Sequence, residues 1–458
     1  MSIQTTRIKH LNDLAVPKKK YVLYWMQQSQ RAEYNHALEY AVSQANQLNR
    51  PMQVVFGLTD DYPEANLRHY TFMLEGLKET QSELASRGIK LVMRYGHPPD
   101  AALELGRDAC MIVCDRGYLR HQCAWRDQVA QNARCSVVQV ESDVIVPVEV
   151  VSDKAEYAAR TIRPKIQRHL ETYLTGLTTQ KLLHPSMGLK VTGLNLDNIE
   201  NLLQKLKLDR TVPSVTPFFH GGTSQAKHHF ERFIDQRLQT YDQHSNQPQT
   251  DDVSHMSPYL HFGQISPLYL ALKIVQTSEK LGAAKDAYLE ELIVRRELAM
   301  NFVTYAARYD TYACIPGWAA QSLGEHRQDK REYVYTRGQL EKAQTHDPYW
   351  NAAMLEMKYT GFMHNYMRMY WGKKILEWSR TPRHAYRTTL ALNNTYFLDG
   401  RDPNSYAGVA WIYGVHDRAW KERPIFGKTR YLAASGLERK CDIAGYVKKV
   451  AALVQRAT

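Results

Sequence analysis

The first 170 residues alternate short apolar runs with longer amphipathic stretches. Tyr21-Val22-Leu23-Tyr24-Trp25-Met26 is an unbroken run of strand length, and 54–58, 89–93, 111–113 and 137–140 repeat the signal. Between the first three, 31–48 and 66–86 carry apolar side chains at helical spacing, the second closed by Gly88. Strands separated by helices of this length predict parallel pairing with right-handed crossovers. The expected fold is a doubly wound, Rossmann-like α/β sheet over residues 21–170, with a ligand crevice at the carboxyl ends of its strands. Residues 1–20 read as a polar, basic tail.

From 171 to 224 the periodicity loosens. Pro185, Gly188, Gly193, Pro213, Pro217 and Gly221-Gly222 interrupt it, with one helical stretch near 199–206. This reads as an interdomain linker, with Thr223 or Ser224 capping the next helix. Residues 225–458 then read as all-α, with helices over 225–241, 267–278, 285–305, 350–359 and 366–378 and no β-alternation. Two domains is also what 458 residues imply.

Composition narrows the class. No stretch approaches the roughly 20 apolar residues that span a bilayer, and the N-terminus lacks the apolar core of a secretory signal, so a cytoplasmic protein with no membrane partner is expected. The six cysteines form no CxxC pair, and Cys110 and Cys114 flank an apolar run as small core residues do. No metal site is expected. An excess of 59 Lys and Arg over 47 Asp and Glu, a formal charge of +12, suits a polyanion such as nucleic acid. Nucleotide fingerprints are missing: no GxGxxG follows the first strand, and Gly427-Lys428-Thr429 has Glu422 where a P-loop needs Gly.

Four segments of the helical half carry candidate chemistry. Trp371 and Trp378 are seven apart, two helical turns and about 10.5 Å of rise, so they share a face. A core stripe explains such a pair, but Arg368 on the same helix needs a carboxylate or an anionic ligand beside those aromatics. Asn393-Asn394 and Asp399-Gly400-Arg401-Asp402-Pro403-Asn404 describe a tight polar loop. Val253–Ser266 offers hydroxyl and backbone donors, with Ser266-Pro267 as an ordinary N-cap. Leu289–Glu297 is an apolar stretch with one charged face.

These segments stand in an order that resembles one family. SPYLHFGQIS at 257–266, EELIVRREL at 290–298, THDPYWNA at 345–352, RMYWGKKILEW at 368–378, LDGRDPNSYAG at 398–408 and GVHDRAW at 414–420 are similar to the class II cyclobutane pyrimidine dimer photolyases of the photolyase/cryptochrome superfamily. The resemblance runs from about Tyr21 to the C-terminus. It implies a light-driven DNA repair enzyme in which reduced FAD passes an electron to a flipped-out pyrimidine dimer. It also implies an antenna-type α/β domain, where a deazaflavin, a folate or no second chromophore are the open alternatives.

The resemblance further implies residue roles. FAD contacts fall at Tyr241, Val253, Ser254, His255, Met256, Ser257 and Arg401, with an Arg368–Asp399 ion pair beside the isoalloxazine and Asn393 facing flavin N5. Trp371, Trp350 and Trp378 match an electron-hopping chain with Trp371 nearest the flavin. Glu291, Met369 and Trp411 match dimer contacts, Asn246 a substrate-side position, and Arg295, Arg418, Trp420 and Arg430 the DNA side. Glu291, Asn393 and Met369 are the expected catalytic positions. Ser245 departs from the family, which usually carries Arg there, and His244 is the neighbouring substitute. No obligate protein partner is expected, and the protein reads as a monomer. The rival readings are a cryptochrome-like photoreceptor without repair, disfavoured because the chain ends near the end of the helical domain, and a nucleotide-binding protein that uses the α/β domain alone.

Overall fold

The computed structural model describes residues 3–457. Its sheet has six strands: β1 (Ile8–His10), β2 (Tyr21–Trp25), β3 (Met52–Leu58), β4 (Lys90–Tyr95), β5 (Ala109–Asp115) and β6 (Ser136–Val140), in the order β1-β6-β5-β2-β3-β4. The five expected strands are all present and all parallel. β1 is the addition: residues 1–20 are not a free tail, because 8–10 pair antiparallel with β6 as an edge strand. A three-residue strand with exposed Lys9 and His10 has no alternation to read in sequence.

β2, β3 and β5 are buried along their whole length, as the continuous apolar runs require of strands covered on both faces. Helices α1 (His36–Gln47), α2 (Leu67–Ser86), α3 (Pro98–Gly106) and α4 (Arg120–Asn132) make the crossovers. The chain winds outward from β2 through β3 to β4, then returns to β5 on the other side, so the topological switch lies between β2 and β5. There the backbone N–H groups of Gln27, Gln28 and Ser29 all donate to Asp115 Oδ2 at 2.8–2.9 Å, and Tyr24 donates to Oδ1.

The segment 171–224 is packed rather than free and touches both halves: Tyr173, Val215 and Phe219 enter the cluster of Tyr259 and Leu292 in the helical half. Leu182, Leu196, Leu202, Leu203 and Leu206 enter the same apolar cluster as β2 and β3. The next helix spans Thr223–Gln236, with Gly222 at its N-cap in a left-handed conformation (φ +132°) in place of the expected Thr223 or Ser224. Glu79 of α2 caps from outside instead, accepting from Ser224 N at 2.7 Å. Ser266 is the expected N-cap, accepting from Leu268 N.

The C-terminal half is helical, and its two apolar clusters cross the domain boundary. Tyr118, Leu119, Val144 and Val148 join the cluster of Trp350 and Trp371, while Phe72, Ile145 and Val146 join that of Tyr259 and Leu292. Buried polar contacts reinforce the seam. Arg68 of α2 donates to the carbonyls of Met357, Lys358 and Tyr396, and Glu297 accepts from Ile145 N and Val146 N. Each such group replaces lost hydration with a directed partner, so the relative placement of the domains is fixed by chemistry as well as by area. Among the described residues no helix is long and apolar enough to cross a membrane, and no His, Cys, Asp or Glu cluster could hold a metal ion.

Candidate active site

The helical half encloses a cavity of about 1320 Å³, measured to its open mouth. Tyr241, the whole segment Val253–Ser257, Arg368 and Asp399 line it, as do Asn246, Glu291 and Arg295. Residues separated by about 150 positions thus face one space. The sequence of that space is discontinuous, and most of its pieces are segments singled out above.

The inner wall is an ion pair on an aromatic floor. Arg368, on the helix Asn365–Trp378, reaches Asp399 with both terminal nitrogens, at 3.1 Å to Oδ1 and 3.0 Å to Oδ2. Its Nε donates to Met363 O, and its guanidinium lies 3.9 Å from the centre of the Phe397 ring. Asp399 follows the helix Pro382–Tyr396 and is held in place by Ser405, whose hydroxyl donates to Asp399 O. Met256, Leu260, Phe362 and Met363 supply apolar wall.

The polar wall is the strained segment. His255 has φ +56°, which turns its ring into contact with Phe362 at 4.6 Å while Nε2 meets Asp251 Oδ1 at 3.0 Å. His255 Nδ1 is buried with no partner, a polar atom aimed at the cavity that a ligand can satisfy. Ser254 accepts from Tyr288, which lies edge-on to Tyr241 at 5.4 Å. The helix that follows, Ser257–His261, has only five residues, so donors here are individual groups and not a helix terminus.

At the mouth, Glu291 lies in a π-helical turn, Glu290–Arg295, inserted between two α-helical stretches. Desolvation by the surrounding walls pushes its carboxyl above the usual range, against the nearby Arg295. Glu290 is pushed the other way by hydrogen bonds from Arg163. The two adjacent carboxyls are thus shifted in opposite directions, although the Glu291 side chain keeps 51% of its area exposed at the mouth.

Behind Arg368 the tryptophans form a continuous stack. Trp371 packs 6.3 Å from Phe397, Trp350 lies nearly parallel to Trp371 at 6.5 Å, and Trp378 meets Trp350 edge-on at 5.5 Å. All three are buried, Trp378 retaining 3% of its area beneath Tyr335 and His346.

Of the residues expected at the cofactor or the dimer, Arg401, Asn393, Met369 and Trp411 do not line this cavity. Arg401 sits at φ +68°, which swings it to the opposite side of its loop, where it bonds His69 and Asn394 O in the domain seam. Asn393 donates to Asn394 Oδ1 along the same turn. Met369 is one residue round the helix from Arg368, on the face of Lys373, whose ammonium lies 5.9 Å from the Trp411 ring. The DNA-side residues form their own group. Arg430 binds Asp417 at 2.9 Å and stacks 4.2 Å from Trp420 and 5.4 Å from Trp411, and Arg418 lies 4.9 Å from Trp420. His416 of the same loop neighbours the cavity mouth: burial, then the charge of Arg295, lowers its pKa to about 4. Arg296, Phe362, Asn365 and Asn404 also line the cavity and were not singled out as site residues; only the motif context of Arg296 and Asn404 signalled them.

A second cavity lies in the seam at the carboxyl ends of β2 and β3. Met26, Phe56, Leu58 and Tyr62 line it, and Phe262 and Arg401 close it from the helical domain. Beside it Gln27 Nε2 and Oε1, Gln30 Oε1 and Arg401 Nε are buried without partners.

Comparison with known proteins decides the kinship. The DNA photolyase family model matches residues 22–185. A deoxyribodipyrimidine photo-lyase of Methanothermobacter thermautotrophicus is 50% identical over 456 residues, covering 99% of both chains. The chain belongs to the DNA photolyase family. This photolyase is a DNA photorepair enzyme, and its fold agrees: a class III photolyase of Agrobacterium tumefaciens superposes with a TM-score of 0.71 at 15% identity, covering 95% of this chain and 87% of the other. A Sulfolobus tokodaii photolyase, solved with two FAD molecules, superposes with a TM-score of 0.68 at 15% identity, covering 95% and 92%. The photolyase family implies a flavin, and the cavity fits one: it has apolar walls for a ring system, an ion pair at its inner edge and an orphaned His255 nitrogen for a polar group.

Proposed function

We propose that this photolyase splits cyclobutane pyrimidine dimers in UV-damaged DNA, with FAD in the helical-domain cavity. The observation that carries this reading is the convergence of Tyr241, Val253–Ser257, Glu291 and the Arg368–Asp399 pair on one space. When bound, reduced and photoexcited FAD supplies the electron that opens the cyclobutane ring and recovers it afterwards. The protein's own task is positioning. Arg368 and Asp399 hold the inner edge, while His255 and Ser254 offer partners to the polar remainder. Glu291 stands half-exposed at the mouth with its carboxyl raised by desolvation, and in its protonated form it donates to a base carbonyl of the lesion. Tyr241 and Asn246 border the same opening. A lesion reaches that depth only when flipped from the duplex, at lower cost than an intact base pair because it is already unstacked. Arg418, Trp420 and Arg430 grip the strand beside the opening through phosphate attraction and a stacking face. Trp378, Trp350 and Trp371 relay electrons toward the cavity to restore the reduced state.

The seam cavity supports an antenna role for a second planar chromophore, whose ring edges would satisfy Gln27, Gln30 and Arg401. Deazaflavin and folate are the candidate classes. The protein acts as a monomer in the compartment that holds the DNA.

The test is light-dependent repair of a thymine-dimer oligonucleotide by the purified protein, with chromatography of the cofactors it releases. Repair that requires light and co-purifying FAD is the expected result. Repair in darkness, or a flavin-free active protein, overturns the reading.

A further inference from the structure

The π-helical turn at the cavity mouth changes which charges meet. In an α-helix, Arg295 stands over Glu291, four residues before it, and the two form an ordinary i,i+4 ion pair. A π turn brings residues five apart into register. Arg295 Nε accordingly donates to Glu290 Oε1 at 3.0 Å and keeps only a longer ion contact, 3.9 Å, with Glu291. Glu290 is itself clamped from outside: Arg163, on the helix Ala159–Gln167, donates to both its oxygens, Nε at 2.9 Å and Nη2 at 2.7 Å. The bidentate fork fixes the plane of the Glu290 carboxylate and turns one oxygen toward Arg295.

We propose that Glu290, clamped by Arg163, is a positioning residue that draws Arg295 away from Glu291 and so leaves Glu291 free to remain a hydrogen-bond donor. The proposal rests on the reading above that Glu291 donates to a base of the lesion. The charged and titratable groups around Glu291 are few. Arg295, Glu290 and Arg296 come from its own helix, Tyr288 from the preceding turns and Tyr241 from the short helix Tyr241–His244. Arg163 reaches only Glu290, and His416 lies toward Arg295. The helix Pro267–Val275 meets this turn through the apolar cluster of Leu270, Ile274 and Leu292. Arg296 is engaged elsewhere, donating to Asp143 O, so among the described residues Arg295 is the cation placed to settle on Glu291 and favour its ionised form. Glu290 acts in two ways: its own negative charge favours the protonated neighbour, and its hydrogen bond holds the cation elsewhere.

The two contributions separate in a double-mutant design. The infrared carbonyl band of a protonated carboxyl, assigned by its loss in Glu291→Gln, gives the titration midpoint of Glu291 in the holoenzyme. Glu290→Gln lowers that midpoint by about one pH unit or more, a tenfold change in the protonation equilibrium. In an Arg295→Gln background the same substitution lowers it far less, because no cation is left to move. Equal shifts in both backgrounds reduce Glu290 to a bystander charge and overturn the positioning role, as does an unmoved midpoint. Binding of a thymine-dimer oligonucleotide is followed across the same pH range. If the midpoint moves and the alkaline limit of lesion affinity moves with it, both statements stand. If the midpoint moves and lesion affinity does not follow, the positioning role stands and Glu291 loses its assignment as the base contact.

Discussion

Removing either partner of the Arg368–Asp399 pair exposes how much of the cavity depends on it. The perturbation is Asp399→Asn, which keeps shape and loses charge, alongside Arg368→Met and the double variant. Asp399 keeps 9% and Arg368 24% of side-chain area, so the pair is largely but not wholly desolvated. Breaking a buried pair by removing one partner costs 3–5 kcal/mol, and the residual exposure of Arg368 places this case near the low end, at about 3 kcal/mol. After Asp399→Asn the guanidinium retains Met363 O, the Phe362 and Phe397 faces and the amide oxygen of the new side chain, none of which carries a charge. The double variant removes both charges and recovers part of the loss, with a coupling energy of roughly 2 kcal/mol. Equilibrium urea unfolding followed by tryptophan fluorescence reads this region directly, since Trp371 packs on the same Phe397 ring. Bound flavin per chain falls in parallel in both single variants. Single variants within about 0.5 kcal/mol of the parent protein, or a double variant equal to their sum, would refute the reasoning.

Trp371→Phe exchanges one large aromatic for another, so it folds and keeps flavin. It loses light-driven reduction of the oxidised flavin with an external reductant, yet repairs dimers after chemical reduction; retained photoreduction breaks the proposed relay. Arg430→Gln lowers the slope of log affinity against log salt by about one, the share of a single phosphate contact, and an unchanged slope in a titration with dimer-containing DNA removes it from the interface. Burial raises the Glu297 carboxyl to about 8, against the N–H groups of Ile145 and Val146, so the folded state holds this proton where the unfolded state has released it. Stability then falls as pH rises between the ordinary carboxyl range and about 8, by up to about 1.4 kcal/mol per pH unit from this group. Glu297→Gln flattens that window in thermal melts compared with the parent, and parallel curves exclude the group.

The sequence made some of this legible and hid the rest for physical reasons. β2, β3 and β5 announced themselves because each is buried along its length and reads as an apolar run, and β4 and β6 through their short buried apolar stretches. β1 did not, because three half-exposed residues at an edge leave no period. Motif order gathered Tyr241, Val253–Ser257, Glu291, Arg368 and Asp399 into one cavity, since each is placed by a helix or its flanking turn. It did not bring in Arg401, whose left-handed backbone turns its side chain to the other side of its loop, or Asn393, which lies on the helix Pro382–Tyr396 and bonds Asn394. It also failed for Met369, because helical geometry separates adjacent residues by a large angle. The π turn was invisible as well: EELIVRREL reads as ordinary helix, and only the backbone reveals that Arg295 answers to Glu290.

Asp115 gives the sheet its own anion. At the switch point of a doubly wound sheet, the first loop's N–H groups are the usual cradle for a ligand phosphate at the carboxyl end of the strands. Here Gln27, Gln28 and Ser29 turn three such groups onto a side chain that the protein carries permanently. A nucleotide phosphate brought to that place would find its donors taken and a negative charge in front of it. The donors that a phosphate would use at this switch point are thereby already satisfied within the chain. The space left on this half is instead the seam, where the buried rings of Phe56 and Phe262 offer apolar wall and Arg401 a single cation.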